Sequence, residues 1–313
     1  MNLQKLRFAV EVEKTLSITQ AAKNLYMSQP NLSKSIKELE KEIGITIFNR
    51  TARGVAPTVE GLEFLAHAKS ILNQMDIMEN IYSINRDKTF NFKVSVPRTT
   101  YLTSAFNLFM KSLEDSKNSI NIHYRETSSE ETMSNIAMGN FDIGIIRYQE
   151  IYENYFLNRL KEYNLDYEVL WAFKMRVIMS KNHPLSNCSI LSYDLLKDYI
   201  EIVHGDLQVP NLNGNNLSEM KNVRSKNRIY VFDRGSQYDF LQQIKGAYKW
   251  VSPVSDDELL KYNLIQKECK YADITKDLVI YPNKNKLKPH EKEFIRAVKQ
   301  IIETNMSHFK EDF

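Results

Sequence analysis

This 313-residue chain has only two cysteines, nine glycines and no long apolar run. The only cysteines, Cys188 and Cys269, lie far apart and form no Cys-x-x-Cys pair, so neither a disulfide framework nor a zinc site is expected. Lys5, Arg7, Glu11, Glu13 and Lys14 interrupt the first twenty residues, and no later stretch approaches the roughly 20 apolar residues that cross a bilayer. The chain is therefore read as cytoplasmic, without membrane contact. There is no G-x-G-x-x-G, P-loop, H-E-x-x-H or G-x-S-x-G, which leaves nucleotide, metal and acyl chemistry without a signal and implies no cofactor, no metal and no enzyme. Glycine is scarce and Asn, Lys, Ile and Tyr abundant, a bias that carries no mechanism. A net charge of +3 announces no nucleic-acid partner either, yet residues 1–58 hold nine basic and five acidic side chains, a local +4. What is present is concentrated at that end.

Leu3, Leu6, Ala9, Val10 and Glu13 mark a first helix by their spacing, ending near Leu16. Ser17-Ile18-Thr19-Gln20 fits a reciprocal capping box for a second helix, in which Ala21 and Ala22 are small enough for close helix crossing. After a short turn, Ser28 as N-cap and Pro30 in the first turn start a third helix that runs to Ile43 and stops at Gly44. Leu32, Ile36, Leu39 and Ile43 form its inner face, leaving Gln29, Asn31, Ser33, Lys34 and Lys37 outward. Amide, hydroxyl and ammonium groups near a helix N-terminus are what reads base edges in a major groove. Residues 45–57 then predict a two-stranded wing with Arg50 and Arg53 near its tip, placed for phosphates.

Ala21-Ala22, Ser28-Gln29-Pro30, Ser33, Leu39-Glu40, Gly44, Phe48-Asn49-Arg50, Pro57-Thr58 and Gly61 together resemble the DNA-binding signature of LysR-type transcriptional regulators. The resemblance implies that Gln29, Pro30, Ser33 and Lys34 lie at the bases of double-stranded DNA, with RNA polymerase a further partner. Two departures are small: Thr15-Leu16-Ser17 replaces a more usual Gly-Ser-Phe/Leu, and Ile45-Thr46-Ile47 a Leu-rich strand.

Thr58 is read as the N-cap of a long linker helix reaching Tyr82. Phe64, Ala68, Ile71, Met75, Met78 and Tyr82 repeat at alternating spacings of 4 and 3, the seam of a coiled-coil homodimer, or of a homotetramer built from such dimers. Leu62, Leu65 and Leu72 broaden that stripe, which keeps open a helix packed against its own domain.

From residue 89 strands and helices alternate, which specifies an α/β effector domain of two Rossmann-like lobes. Lobe I is expected at about 89–165 and 269–313, lobe II at about 166–268, after a DNA-binding domain of 1–58 and a linker of 59–88. Asn182-His183-Pro184-Leu185, Asp194-Leu195-Leu196 and Phe141-Asp142-Ile143-Gly144-Ile145 are similar to the effector domain of the same family, which implies a fold like that of periplasmic solute-binding proteins. The charged stretch 150–165 and Gly246-Ala247-Tyr248-Lys249 depart from that pattern. Ligands of open α/β sheets sit beyond strand carboxyl ends, where helix N-termini favour anions. Arg98, Thr99, Thr100, Thr127, Ser128, Arg147 and His204 stand at such ends and are the candidate ligands of a small, anionic or strongly polar effector. The rival reading is a solute-binding module or enzyme with a fused helix domain.

Overall fold

Three short helices, a β-hairpin and one long helix make the first of two compact units in this computed structural model, which describes residues 2–51, 54–82, 89–114, 119–205, 225–270, 272–283 and 286–305. Helix α1 (Leu3–Thr15) is capped by Asn2, whose side chain accepts from the Lys5 N–H at 2.9 Å. It buries Leu6, Ala9 and Val12, while Glu13 turns outward to pair with Lys69. Helix α2 (Ile18–Asn24) buries Ala21 and Ala22 almost completely. Only half of the expected capping box forms. Ser17 Oγ accepts from the Gln20 N–H at 3.3 Å, but the Gln20 side chain bonds Asn24, and Thr15 Oγ1 takes the Ser17 N–H instead.

Helix α3 (Gln29–Ile43) begins without a side-chain cap bond from Ser28, and it ends at Gly44, where φ = 77° suits a residue without Cβ. Leu32, Ile36 and Leu39 seat it in the core. The wing pairs β1 (Phe48–Thr51) with β2 (Gly54–Pro57), starting later than the Ile45 expected from sequence. Glu40 on α3 holds it, accepting the Ile47 and Phe48 N–H groups at 2.7 and 3.1 Å. Helix α4 (Val59–Tyr82), 24 residues and therefore about 36 Å long, is capped by Thr58, which accepts from the Gly61 N–H at 2.8 Å. A Cβ on Gly61 would lie 2.1 Å from the Ile47 carbonyl oxygen, so only glycine lets α4 start against the wing.

The second unit is two lobes, each a sheet with helices packed on it. Lobe I contains β3 (Thr89–Val96), α5 (Thr100–Lys111), β4 (Ser119–Glu126), α6 (Ser129–Ala137), β5 (Ile143–Gln149), α7 (Glu153–Glu162), β6 (Leu165–Lys174), β13 (Ile274–Pro282) and α11 (Pro289–Asn305). Its sheet order is β4-β3-β5-β13-β6, with β3 parallel to β4 and β5, and β13 antiparallel to β5 and β6. Phe92, Val94, Tyr101, Phe109, Phe173, Phe294 and Val298 belong to one buried cluster of this lobe, and Met133, Ile136, Ile146, Phe156, Leu160 and Leu278 to another.

Lobe II contains β7 (Arg176–Ser180), β8 (Ile190–Leu191), α8 (Tyr193–Leu196), β9 (Ile200–His204), β10 (Asn227–Val231), α9 (Gly235–Gln243), β11 (Ala247–Val251), α10 (Asp256–Lys261) and β12 (Leu264–Cys269), with sheet order β10-β9-β11-β7-β12-β8. The expected lobe II of 166–268 needs correction, because β6 pairs along its length with β13 in the first sheet and the chain crosses over at Met175. It returns between Cys269 and Ile274. The charged stretch 150–165 proves to be a short 3₁₀ turn followed by α7, whose inward residues Phe156 and Leu160 are buried. Asn182-His183-Pro184-Leu185 forms a turn in which buried His183 accepts the Leu185 N–H at 3.0 Å on Nδ1 and packs on Tyr199, a structural role. No helix among the described residues is long and apolar enough to cross a membrane.

Candidate functional site

In the first unit the outward side of α3 is the chemically distinctive surface. Gln29, Pro30, Asn31, Lys34 and Lys37 are exposed and Ser33 half-buried, while the next turn inward is filled by Leu32 and Ile36. Gln29, Pro30, Ser33, Lys34 and Lys37 border one open recess of about 540 Å³ together with Glu38 and Lys41. Amide and hydroxyl groups therefore stand on the first turns and ammonium groups behind them, with the positive end of the helix dipole beside them. Arg53 and the side chain of Arg50 lie outside the described residues.

The expected dimer seam divides. Phe64 packs on the core around Leu32, Leu39 and Leu65, and Ala68 is buried, so both serve their own unit. Ile71 and Met78 are exposed at 43% and 53%, Met75 is half-buried, and the Tyr82 side chain lies outside the described residues. Val59 and Leu62 add exposed apolar surface at the start of the helix.

Within the second unit, a cleft of about 750 Å³ brings Arg98, Thr99, Thr100, Thr127, Ser128, Arg147 and His204 together. Their positions follow from topology, because β3, β4, β5, β9 and β11 all point their carboxyl ends at it. Thr99 and Thr100 stand at the N-terminus of α5, and Thr99 Oγ1 lies 2.8 Å from Ser252 Oγ on the opposite lobe. Ser128 accepts the Glu131 N–H at 3.3 Å and so caps α6, while Thr127 donates to the Glu131 carboxylate.

Arg147 is more committed than a strand-end reading suggests. Its Nε and Nη2 donate to Asp277 at 2.7 and 2.6 Å, and its guanidinium lies 5.0 Å from the Phe173 ring centre. Burial opposes the charge, but the Asp277 carboxylate outweighs it and the guanidinium pKa is raised. Tyr101 donates to the same carboxylate, and Asp277 is completely inaccessible. Arg234 spans the lobes by donating to Thr103 at 2.7 Å and to Glu126 at 2.5 Å.

His204 sits in a polar cluster that sequence reasoning missed. Its Nδ1 is 2.7 Å from Gln237 Nε2 and its Nε2 is 3.1 Å from Lys249 Nζ, while Lys249 also donates to Gln237 Oε1. Burial, then the neighbouring Lys249, pushes the His204 pKa down to about 2. Burial, then Arg234, brings Lys249 down to about 7. Among the described residues no carboxylate pairs with Lys249. The one signal that could have found it was the departure from the glycine-richer pattern at Gly246-Ala247-Tyr248-Lys249. Gln237 and Ser252 carried none.

Fold and sites define a class: a winged helix-turn-helix, a long helix and a two-lobed α/β domain with a polar cleft. Residues 3–62 match the family described as "Bacterial regulatory helix-turn-helix protein, lysR family", a match that covers the winged helix-turn-helix and the start of α4. Curated relatives include the HTH-type transcriptional regulator AlsR of Bacillus subtilis (strain 168), 30% identical over 63% of this chain and 62% of AlsR. Another is the Hca operon transcriptional activator HcaR of Escherichia coli (strain K12), 29% identical over 60% of each chain. These matches thus span about three-fifths of the relatives' length. Among solved structures, full-length CbnR complexed with its target DNA aligns over 96% of this chain and 100% of that one, at TM-score 0.61 and 14% identity. A full-length OxyR variant from Pseudomonas aeruginosa aligns over 96% of this chain and 98% of that one, at TM-score 0.57 and 16% identity. At such identities the likeness is one of fold.

Proposed function

We propose that this protein is a sequence-specific DNA-binding transcriptional regulator, not an enzyme, that works in the cytoplasm as a homodimer or homotetramer and is controlled by a small molecule in the interlobe cleft. The observation that carries the reading is the outward face of exposed Gln29 and Lys34 and half-buried Ser33 on the first turns of a helix whose opposite side is core. Such a face is suited to base edges, and the adjoining lysines to phosphates. Relatives named as transcriptional regulators and a neighbour solved with its target DNA support it. The rival reading, a solute-binding module or enzyme with an accessory helix domain, gives that polar face no task. Double-stranded DNA is then the first partner, RNA polymerase a further one, and Ile71, Met75 and Met78 form the part of the linker-helix seam left for a second copy.

Titration of operator and random duplexes at one salt concentration tests the assignment. Ser33→Ala should weaken operator binding by about 1 to 3 kcal/mol with little change on random DNA, because base contacts carry discrimination. Equal losses on both would place Ser33 away from the bases. In sedimentation Ile71→Asp should run as a smaller species, and in footprinting it should lose two-half-site protection; an unchanged oligomer would show that the seam is elsewhere.

A further inference from the structure

The polar ring at the cleft wall constrains what the cleft can accept. In the observed arrangement Gln237 presents an N–H to His204 Nδ1 and its oxygen to Lys249, and Lys249 Nζ faces His204 Nε2. A neutral imidazole that accepts at Nδ1 carries its proton on Nε2, which must then donate to Nζ. Only a neutral amine has the lone pair to receive it. A protonated Lys249 has three donors and no acceptor, so it would force the imidazole proton to Nδ1, against the amide N–H. Flipping the Gln237 amide merely moves the donor–donor clash to Lys249. The ring is therefore satisfied in full in one state, neutral lysine with neutral histidine.

The surroundings favour the same state. Arg98 precedes α5, Arg147 is on β5, Arg234 precedes α9 and Glu126 ends β4. The three arginines depress the lysine and Glu126 partly offsets them, with burial the largest influence, so Lys249 titrates at about 7. Asp277 and Glu126 are already committed to Arg147 and Arg234. Lys249 is left as a latent cation beside an open cleft, without a carboxylate of its own among the described residues. Tyr193, Tyr230, Tyr238 and Trp250 line the same cleft and offer apolar contact to a ligand body, which inorganic anions cannot use.

We propose that the cleft takes a small organic carboxylate whose negative group uses Lys249 as counter-ion, and that a proton enters from solvent with it wherever the amine is still neutral. The amine becomes an ammonium, the carboxylate stays ionised, and no other bond changes. Because the charged lysine no longer fits the ring, the Gln237 and His204 contacts rearrange, and Gln237 lies in the first turn of α9. Ligand binding is thereby coupled to lobe II. This inference rests on the sensor reading of the cleft and adds the ligand class and its proton linkage.

The test is an NMR pH titration of the full chain carrying [¹³Cε]lysine, with formate, butyrate and succinate as carboxylate probes, butyramide as the uncharged isostere and sulfate as the inorganic anion. One lysine signal, missing in Lys249→Arg, should titrate near 7 and move up by more than one pH unit at saturating carboxylate. Butyramide should leave it in place. If every lysine titrates at its ordinary position, the neutral ring is wrong. No rise with any of the three carboxylates, an equal rise with butyramide, or a rise with sulfate alone would overturn the ligand assignment. Since Lys249→Arg leaves α3 intact, operator binding by this variant keeps a failure here distinct from a failure of the regulator reading.

Discussion

The outward face of α3 and the interlobe cleft are both polar surfaces over apolar cores, but they are assembled in opposite ways. The first comes from one contiguous run, residues 29–37, and any helix with Leu32, Ile36 and Leu39 buried presents it. The second draws on β3, β4, β5, β9, β11 and the helices that follow them, in two sheets between which the chain crosses twice. A face on one element needs only local periodicity. A cleft needs every crossover and register to be correct, so its charges can be buried and balanced by residues more than a hundred positions away.

Breaking that balance should produce the largest effect. Asp277→Asn leaves Arg147 buried without its counter-ion, for which about 3 to 5 kcal/mol is the expected loss. Trp171 and Trp250, the two tryptophans of the chain, both lie in the second unit, so their fluorescence in denaturant follows that unit. An unchanged midpoint would mean that the pair is not buried as described. The first unit, followed by operator binding, should be affected far less.

Per pH unit, an intermediate effect is expected from acidification. His204 is held neutral in the folded chain, with its pKa lowered from 6.5 to about 2, so below 6.5 the unfolded chain takes up a proton that the folded one refuses. Stability of the second unit should fall with decreasing pH between 6.5 and 2, by up to about 1.4 kcal/mol per pH unit from this group. In His204→Gln the decline should be shallower. Parallel pH profiles for the two proteins would refute the assignment.

The smallest effect sharpens the local side of the contrast. Ser17→Ala removes the one cap bond that forms at the start of α2, and about 1 kcal/mol of stability should go with it. Gln20→Ala should cost less, because its side chain bonds Asn24 rather than closing the capping box. Thermal unfolding of the pair, followed by far-ultraviolet circular dichroism, would reverse the ranking if the reciprocal box formed after all.

The amino-acid sequence by itself determined the elements of the first unit and the residues presented by α3, since helix spacing, Thr58 as a cap and Gly44 as a stop act within a few residues of where they stand. It also placed hydroxyl and basic groups at strand ends, because a strand that stops at Val96-Pro97 announces its own carboxyl end. Tertiary structure decided the rest. Whether β6 belongs to lobe I or lobe II depends on pairing with β13, a partner far along the chain, and whether Phe64 and Ala68 are free for a second copy depends on what the N-terminal core already covers. By sequence Arg147 reads as a ligand for an anion, whereas the fold commits it to Asp277, and only folding sets Lys249 between His204 and Gln237. Charge, burial and hydrogen-bond direction are properties of neighbours in space, and for a cleft built between two sheets those neighbours are not neighbours in sequence.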